Sequence, residues 1–329
     1  MRFVRRLIVT VALLYAPGAL AQAVWDMATE YPRNAMSGIG VTAFARHIEE
    51  NTRGGLVIRP SYDGESGLRS AAMFRAIAQN TLQAGDTYAA ALDPHGELFS
   101  LFSLPAMVSS LDEARRLLEL ARPALAAALR EEGVHLLYLT PWPPTGLWTK
   151  KPVHSAADLK GLTVRTYDLT SSIAISGTGA EALVLSLADT LAQLRAGSVN
   201  AMLSSGEGGL ERKLPGLLPY FSEITYMLPI SIASVNAATY DALSADLKAA
   251  VDLAAHDTEA ELWTTLLTRL ARNRQQMRDQ GVTIDSHPPV DVLRALKSAA
   301  REMRQRWCTK VGPACHAILD PLEASTAPQ

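Results

Sequence analysis

Between Asp158 and Glu207 the chain reads as strand, helix and strand, and both strands stop on groups suited to an anion. Asp158-Leu-Lys-Gly-Leu-Thr-Val runs from a polar turn into a short β-branched strand that ends on Arg165. Tyr167-Asp168-Leu-Thr-Ser-Ser suits a helix start, and Gly197 is a helix stop before the buried strand Val199–Leu203, which finishes in Ser204-Ser205-Gly206. A guanidinium presents a rigid fork that matches a carboxylate in two places, which a lysine cannot do. By the residues alone, Arg165 reads equally as an anion ligand, a surface side chain, or the partner of Asp158 or Asp168.

The rest of the chain keeps the same alternation. Residues 23–28 start as a strand, and Val41, Phe44, Ala45 and Ile48 recur at helical spacing up to Arg53-Gly54-Gly55. A second strand then covers Leu56–Tyr62. This order implies parallel strands joined by a right-handed crossover, with ligands held beyond their carboxyl ends, which nominates Glu30, Tyr31 and the 62–67 loop. Ser70–Asn80 is an amphipathic helix, and a strand of small residues follows with Asp86 and Tyr88. Asp86 reads as an acceptor for a ligand hydroxyl or as a helix cap. Leu111–Glu132 is one or two helices with Pro123 at a break, and Val134–Leu139 is a strand buried on both faces. Leu243–Gln280, with Ser244 as its cap, is a long helical region. Val292–Trp307 is a charged amphipathic helix, and the tail after Asp320 is expected to fray.

A chain of 329 residues that is 48% hydrophobic holds a large core and divides more naturally into two lobes than one. Met1–Ala23 has a basic start, an apolar run from Leu7 to Tyr15 and small residues at Ala19, Ala21 and Ala23. The run is too short to span a bilayer, so the pattern is that of a secretory signal peptide. Loss of Arg2, Arg5 and Arg6 with it takes the net charge from −2 to about −5, against nucleic acid or an anionic membrane as partner. Cys308 and Cys315 flank a Gly-Pro turn, and in an exported chain they read first as a disulfide staple; a metal site would need more ligands than His316 adds. No Gly-x-Ser-x-Gly elbow, His-Glu-x-x-His helix or phosphate loop is present, and no cofactor is expected.

The pattern Asp-Leu-Lys-Gly-Leu-x-Val-Arg165, followed by Leu-x-x-Gly-x-Val-x-Ala201, resembles the periplasmic solute receptors of TRAP transporters, the DctP-like family. Ala28–Pro32, Phe44–Leu56, Leu101–Pro105 and Leu228–Asn236 are similar to family landmarks in the family's order, so the resemblance spans the mature chain. It implies an α/β two-lobe periplasmic binding protein fold with a hinge and a long helix spanning both lobes. The lobes implied are 24–140 with 233–275 and 141–232 with 276–320, with 1–23 as signal and 321–329 as frayed tail. It further implies that Arg165 holds the carboxylate of an organic acid, that Tyr226 and Asn236 are hinge or cleft residues, and that the partner is a TRAP membrane permease.

Two departures from the family shape the expected ligand. Where relatives carry a second arginine about twenty residues upstream, this chain has Thr-Gly-Leu-Trp148, so one fixed cation favours a monocarboxylate, with Trp148 as a flat face for a ring or sugar or else as core. Where relatives bind ligand through an asparagine, this chain has Ser204, beside Ser205; a hydroxyl donates as well but reaches less far. Arg165, Trp148, Ser204, Ser205, Tyr167, Glu30, Tyr31, Asp86 and Tyr226 are the expected ligand-binding residues. Asn200 reads as a strand-edge residue and Glu207 as solvent-facing. An exported enzyme on a similar scaffold, or a receptor that feeds a sensor, are the alternative readings.

Overall fold

A computed structural model of the chain describes residues 23–326, so the expected leader lies, but for Ala23, outside the described residues. The first part runs β1 (Ala23–Thr29), α1 (Met36–Thr52), β2 (Leu56–Ser61), α2 (Ser70–Ala78) and β3 (Ala84–Tyr88). Two 3-10 segments, Ala89–His95 and Glu97–Ser103, lead to α3 (Leu111–Glu131) and β4 (Val134–Pro141). The second part runs β5 (Gly146–Thr149), α4 (Ala156–Leu159), β6 (Thr163–Thr166), α5 (Leu169–Ser176) and β7 (Glu181–Val184). It continues with α6 (Leu187–Ala196), β8 (Ala201–Ser204), α7 (Gly206–Glu211) and β9 (Tyr220–Ser222). The chain ends with β10 (Ile230–Asn236), α8 (Ala237–Asp241), α9 (Ala245–Asp279), β11 (Thr283–Asp285), α10 (Val290–Val311) and α11 (Pro313–Thr326).

Each lobe is built on one mixed sheet. The first has the order β2-β1-β3-β10-β4, with β1 parallel to β2 and β3 as the strand–helix–strand reading requires, and β10 antiparallel between β3 and β4. The second has the order β11-β9-β5-β8-β6-β7, with β6 parallel to both β7 and β8. The chain leaves the first sheet at Pro141, enters the second at Gly146, and returns from Ser222 to Ile230. These two crossings lie side by side, joined by Thr145 N to Met227 O at 2.9 Å, Trp142 N to Pro229 O at 2.9 Å and Tyr226 N to Thr145 O at 2.8 Å. They form the hinge, and both join the sheets at the edge where β1, β3, β6 and β8 end.

The long helix α9 has 35 residues, about 50 Å at 1.5 Å per residue, and Ser244 caps it by accepting from Leu247 N. Val251, Leu262 and Leu266 pack in the first lobe's core and Met277 in the second's, so the helix spans both lobes as expected. α3 runs unbroken through Pro123, a correction to the expected break. Its stripe Ala114, Leu117, Leu118, Ala121, Leu125 and Leu129 is buried on one side, and that packing holds a helix in which proline removes only one backbone bond.

Two expectations about the C-terminus are corrected. Residues 276–320 are expected in the second lobe, but α10 packs there only as far as Met303, chiefly through Val292 and Leu296. Trp307, Cys315, Ile318, Leu319 and Leu322 belong to the first lobe's core, and Trp307 Nε1 donates to Glu97 O at 2.9 Å. The tail expected to fray from 321 continues as helix to Thr326, because Leu322 is buried in that core. The turn between α10 and α11 is closed by the Cys308–Cys315 disulfide, with Gly312 at φ 68° in the left-handed region.

Candidate functional site

The site lies where the strands of both sheets run out toward the hinge. β6 pairs with β8 so that Arg165 stands level with Met202, and alternation puts Ser204, two residues on, on the same face. Arg165 is half-buried; its Nε donates to Leu185 O at 3.1 Å, and it makes no ion pair among the described residues. Neither Asp158 nor Asp168 claims it. Asp158 accepts from His154 N and Ser155 N at 2.9 Å each, at the start of α4. Asp168 caps α5, accepting from Ser171 N at 2.7 Å. Burial lowers the Arg165 pKa from its ordinary value, and the neighbouring Arg212 lowers it further. A guanidinium starts so high that it keeps its charge, so an anion arriving here would meet a cation.

Arg212 is a second cation that sequence reasoning missed. α7 lies over the second sheet with Gly209 against the Trp148 indole, where an added Cβ would come within 2.2 Å of the ring. Arg212 folds back along that helix and donates from Nη1 to Gly208 O at 2.6 Å. A Cβ on Gly208 would lie 2.7 Å from Arg212 Nη1 and 2.9 Å from Ser204 Oγ, so hydroxyl and guanidinium converge on one point. No spacing rule marks Arg212, because only the packing of α7 on Trp148 brings it there.

From the first lobe, Tyr31 and Tyr88 face this edge. Tyr31 stands edge-on to Trp142, ring centroids 4.6 Å apart, and Trp142 Nε1 donates to Ser231 Oγ at 2.9 Å. Tyr88 is pushed up to about 12 by burial, with the charge of Asp168 across the gap adding to it. Tyr167 is raised by burial, then by Tyr226, Asp168 and Tyr88, and its hydroxyl meets Met227 Sδ at 2.8 Å. All these phenols are therefore neutral hydrogen-bonding groups near neutral pH. Asp93, on the rim, is raised to about 6 by burial, then by Glu97 and Asp168.

The other expected residues are placed differently. Trp148 is 0% exposed, tilted against Phe221 at 4.9 Å and bonded through Nε1 to Ser205 O; it is core, so its expected role as a ligand face is corrected. Ser205 caps α7, accepting from Gly208 N at 3.0 Å. Glu30 accepts from Ser70 N at 3.2 Å and from the Ser70 hydroxyl, fastening the start of α2, with Arg69 3.5 Å away. Asp86 caps no helix. It is fully buried and accepts from Thr140 Oγ1 at 2.7 Å, while its Oδ1 has no partner among the described residues. Burial raises the Asp86 pKa, while Ser37, Thr140 and Ser231 act against that shift.

Tyr226 is 1% exposed beside the hinge, and its hydroxyl has no partner among the described residues. Asn236 sits at the end of β10 away from the hinge, accepting from Thr239 N and donating to Ile77 O at 3.0 Å each, which removes it from the cleft. Asn200 bonds Thr163 N and Gly161 O along the strand edge. Glu207 is not solvent-facing; it pairs with Arg269 of α9, which also donates to Asn34 O at 2.6 Å. Arg165, Ser204 and Tyr167 from one side and Tyr31 from the other are thus the expected residues brought together, joined by Tyr88, Trp142 and Arg212. Among the described residues no group of three or more His, Cys, Asp or Glu is placed to hold a metal, and no helix is long and apolar enough to cross a membrane.

A family model described as bacterial extracellular solute-binding protein, family 7 (DctP), matches residues 27–309. Among solved structures, DctP7 of Bordetella pertussis, an extracytoplasmic solute receptor binding pyroglutamic acid, is 27% identical with a TM-score of 0.75; 92% of this chain and 99% of that one are covered. A marine metagenome TRAP solute-binding protein from an unidentified microbe, in complex with co-purified pyroglutamate, is 25% identical with a TM-score of 0.74 over 92% and 99%. A TRAP periplasmic solute-binding protein of Rhodobacter sphaeroides, at 16% identity, shares the fold with a TM-score of 0.85 over 92% and 99%. Among curated proteins none matches the chain.

Proposed function

Because the chain belongs to the bacterial extracellular solute-binding protein family 7, we propose that it is a periplasmic receptor that binds a small cyclic organic acid between its lobes and delivers it to a TRAP-type membrane permease. One observation carries the ligand reading: Arg165 is a half-buried guanidinium at a strand end, with no carboxylate partner among the described residues. A carboxylate on Arg165 supplies the missing charge, and Ser204 and Tyr88 offer neutral hydrogen bonds to the rest of the molecule. Trp142 and Tyr31 supply the flat surface that Trp148 does not. The pyroglutamate named for two relatives is a compact ring with one carboxylate and fits this set.

Closure needs no chemistry. As the lobes meet, water leaves and the guanidinium–carboxylate attraction strengthens in the lower dielectric, so ligand shifts the population toward the closed form. Arg212 supports a second reading, a ligand with two anionic groups, one for each guanidinium. Thermal-shift measurements with pyroglutamate, glucuronate and succinate separate the two. The first reading expects a ring monocarboxylate to raise the melting temperature most; a larger shift with succinate overturns it in favour of the second.

A further inference from the structure

A groove of about 900 Å³, whose lining does not include Arg165, lies between α10, α11 and the segment entering α3. Arg294, Lys297, Arg301 and Arg304 line it, spaced three, four and three residues apart, which sets four cations in one row along α10. Glu113 and Glu323 are the carboxylates in its lining. Glu323 pairs with Arg304, and Glu113 is engaged at the start of α3 by Ser109 N at 2.7 Å and Ser109 Oγ at 2.8 Å. Arg294, Lys297 and Arg301 are exposed and make no ion pair among the described residues. Met107, Leu319 and Leu322 give the groove apolar wall between the charges.

We propose that this groove docks an acidic, partly apolar polypeptide segment of a partner protein. A chain with net charge −2 that gathers unpaired cations on one concave face presents a local field against its own average, which steers an acidic partner to that face. A polypeptide suits the shape better than an anionic bilayer does. The unpaired cations line a concave groove, which a chain segment can enter and a flat bilayer cannot fill, and the net negative body of the protein repels anionic lipid.

The groove also has walls from both lobes. Val292 and Leu296 anchor the start of α10 in the second lobe's core, while Trp307 and α11 belong to the first; Met107 packs with the first and Ala106 against the second. Its width therefore follows the angle between the lobes, so an occupant senses whether the receptor is closed. This holds whichever acid fills the cleft.

The test is fluorescence anisotropy of a labelled oligoglutamate peptide with the full mature chain at low ionic strength. Saturable binding is expected, weakened about tenfold or more in the triple variant Arg294→Gln, Lys297→Gln, Arg301→Gln, and unchanged in Arg46→Gln with Arg59→Gln elsewhere on the surface. The single variant Arg301→Glu, with an unchanged melting temperature, guards against misfolding of the triple. No peptide binding by the wild type, equal binding by the triple variant, or binding to phosphatidylglycerol vesicles that the peptide does not displace would overturn the proposal.

Discussion

The cleft's electrostatics come down to which charges already have partners. Arg59, Arg130 and Arg274 are spoken for by Asp26, Asp241 and Glu223, Arg59 and Arg274 in two-point forks, whereas Arg165 has only a carbonyl among the described residues. Replacing Arg165 with Met should weaken pyroglutamate binding about 100-fold or more in isothermal titration, since two charge-assisted hydrogen bonds go, while the melting temperature of the free protein holds. Arg165→Lys keeps the charge and loses the fork, so it should recover only part of the affinity.

Asp93 provides a pH handle on the same rim. Its folded pKa, about 6, lies above the ordinary 3.8, so its neutral form favours the fold; that contribution is full below pH 3.8 and is lost as pH rises through 6. Asp93→Asn should therefore stabilise the protein at pH 8 by about 0.5 kcal/mol, the scale of a screened surface charge, and do nothing at pH 3.5. Denaturant melts at the two pH values check this. Equal effects at both would mean the shift is not electrostatic.

Among the elements, α7 is the one on which the site's second cation depends. Gly208 and Gly209 are neighbours with different tasks. Gly209 lets the helix backbone approach Trp148, so Gly209→Ala should cost about 1–3 kcal/mol in stability through overpacking. Gly208 faces Ser204 and Arg212, flexible side-chain ends, so Gly208→Ala should leave the melting temperature near wild type and change ligand affinity instead. Melts and titrations on both variants separate the roles.

The same helix shows what the sequence could and could not reveal. Period and breaker residues place β6, β8, α9 and its Ser244 cap, since each is fixed by local pattern. The environment of Trp148 is set by α7, sixty residues later, and no local rule says which side of the sheet that helix covers. Arg212 escapes for the same reason, and Glu207 looks solvent-facing until α9 brings Arg269 beside it. Which lobe the C-terminal helices join is not legible in the sequence, because α10 is amphipathic and periodicity does not tell which lobe each half of a helix enters.

For the molecule as a whole, Arg269 is a contact of α9 that reaches both lobes at once. It joins Glu207 of the second lobe to the Asn34 carbonyl of the first across α9, and its side chain is 15% exposed. These bonds belong to the arrangement in which solvent still reaches Arg165. Arg269→Gln removes them, and if closure breaks them the closed form becomes easier to populate; pyroglutamate affinity is then expected to rise about threefold to tenfold. Titration together with small-angle scattering of the free variant checks this, and unchanged affinity would show that the contact survives closure.

β10 sits in the middle of the first sheet, hydrogen-bonded to β3 on one side and β4 on the other, yet it is made only after the whole second sheet except its edge strand β11. A nascent chain thus has no finished sheet until Asn236 has emerged, and its early strands must wait with open edges for a filler that arrives last. Such a polypeptide is slow to become compact while it is still being synthesised, which leaves it pliable enough to be threaded through a narrow pore before it locks into shape.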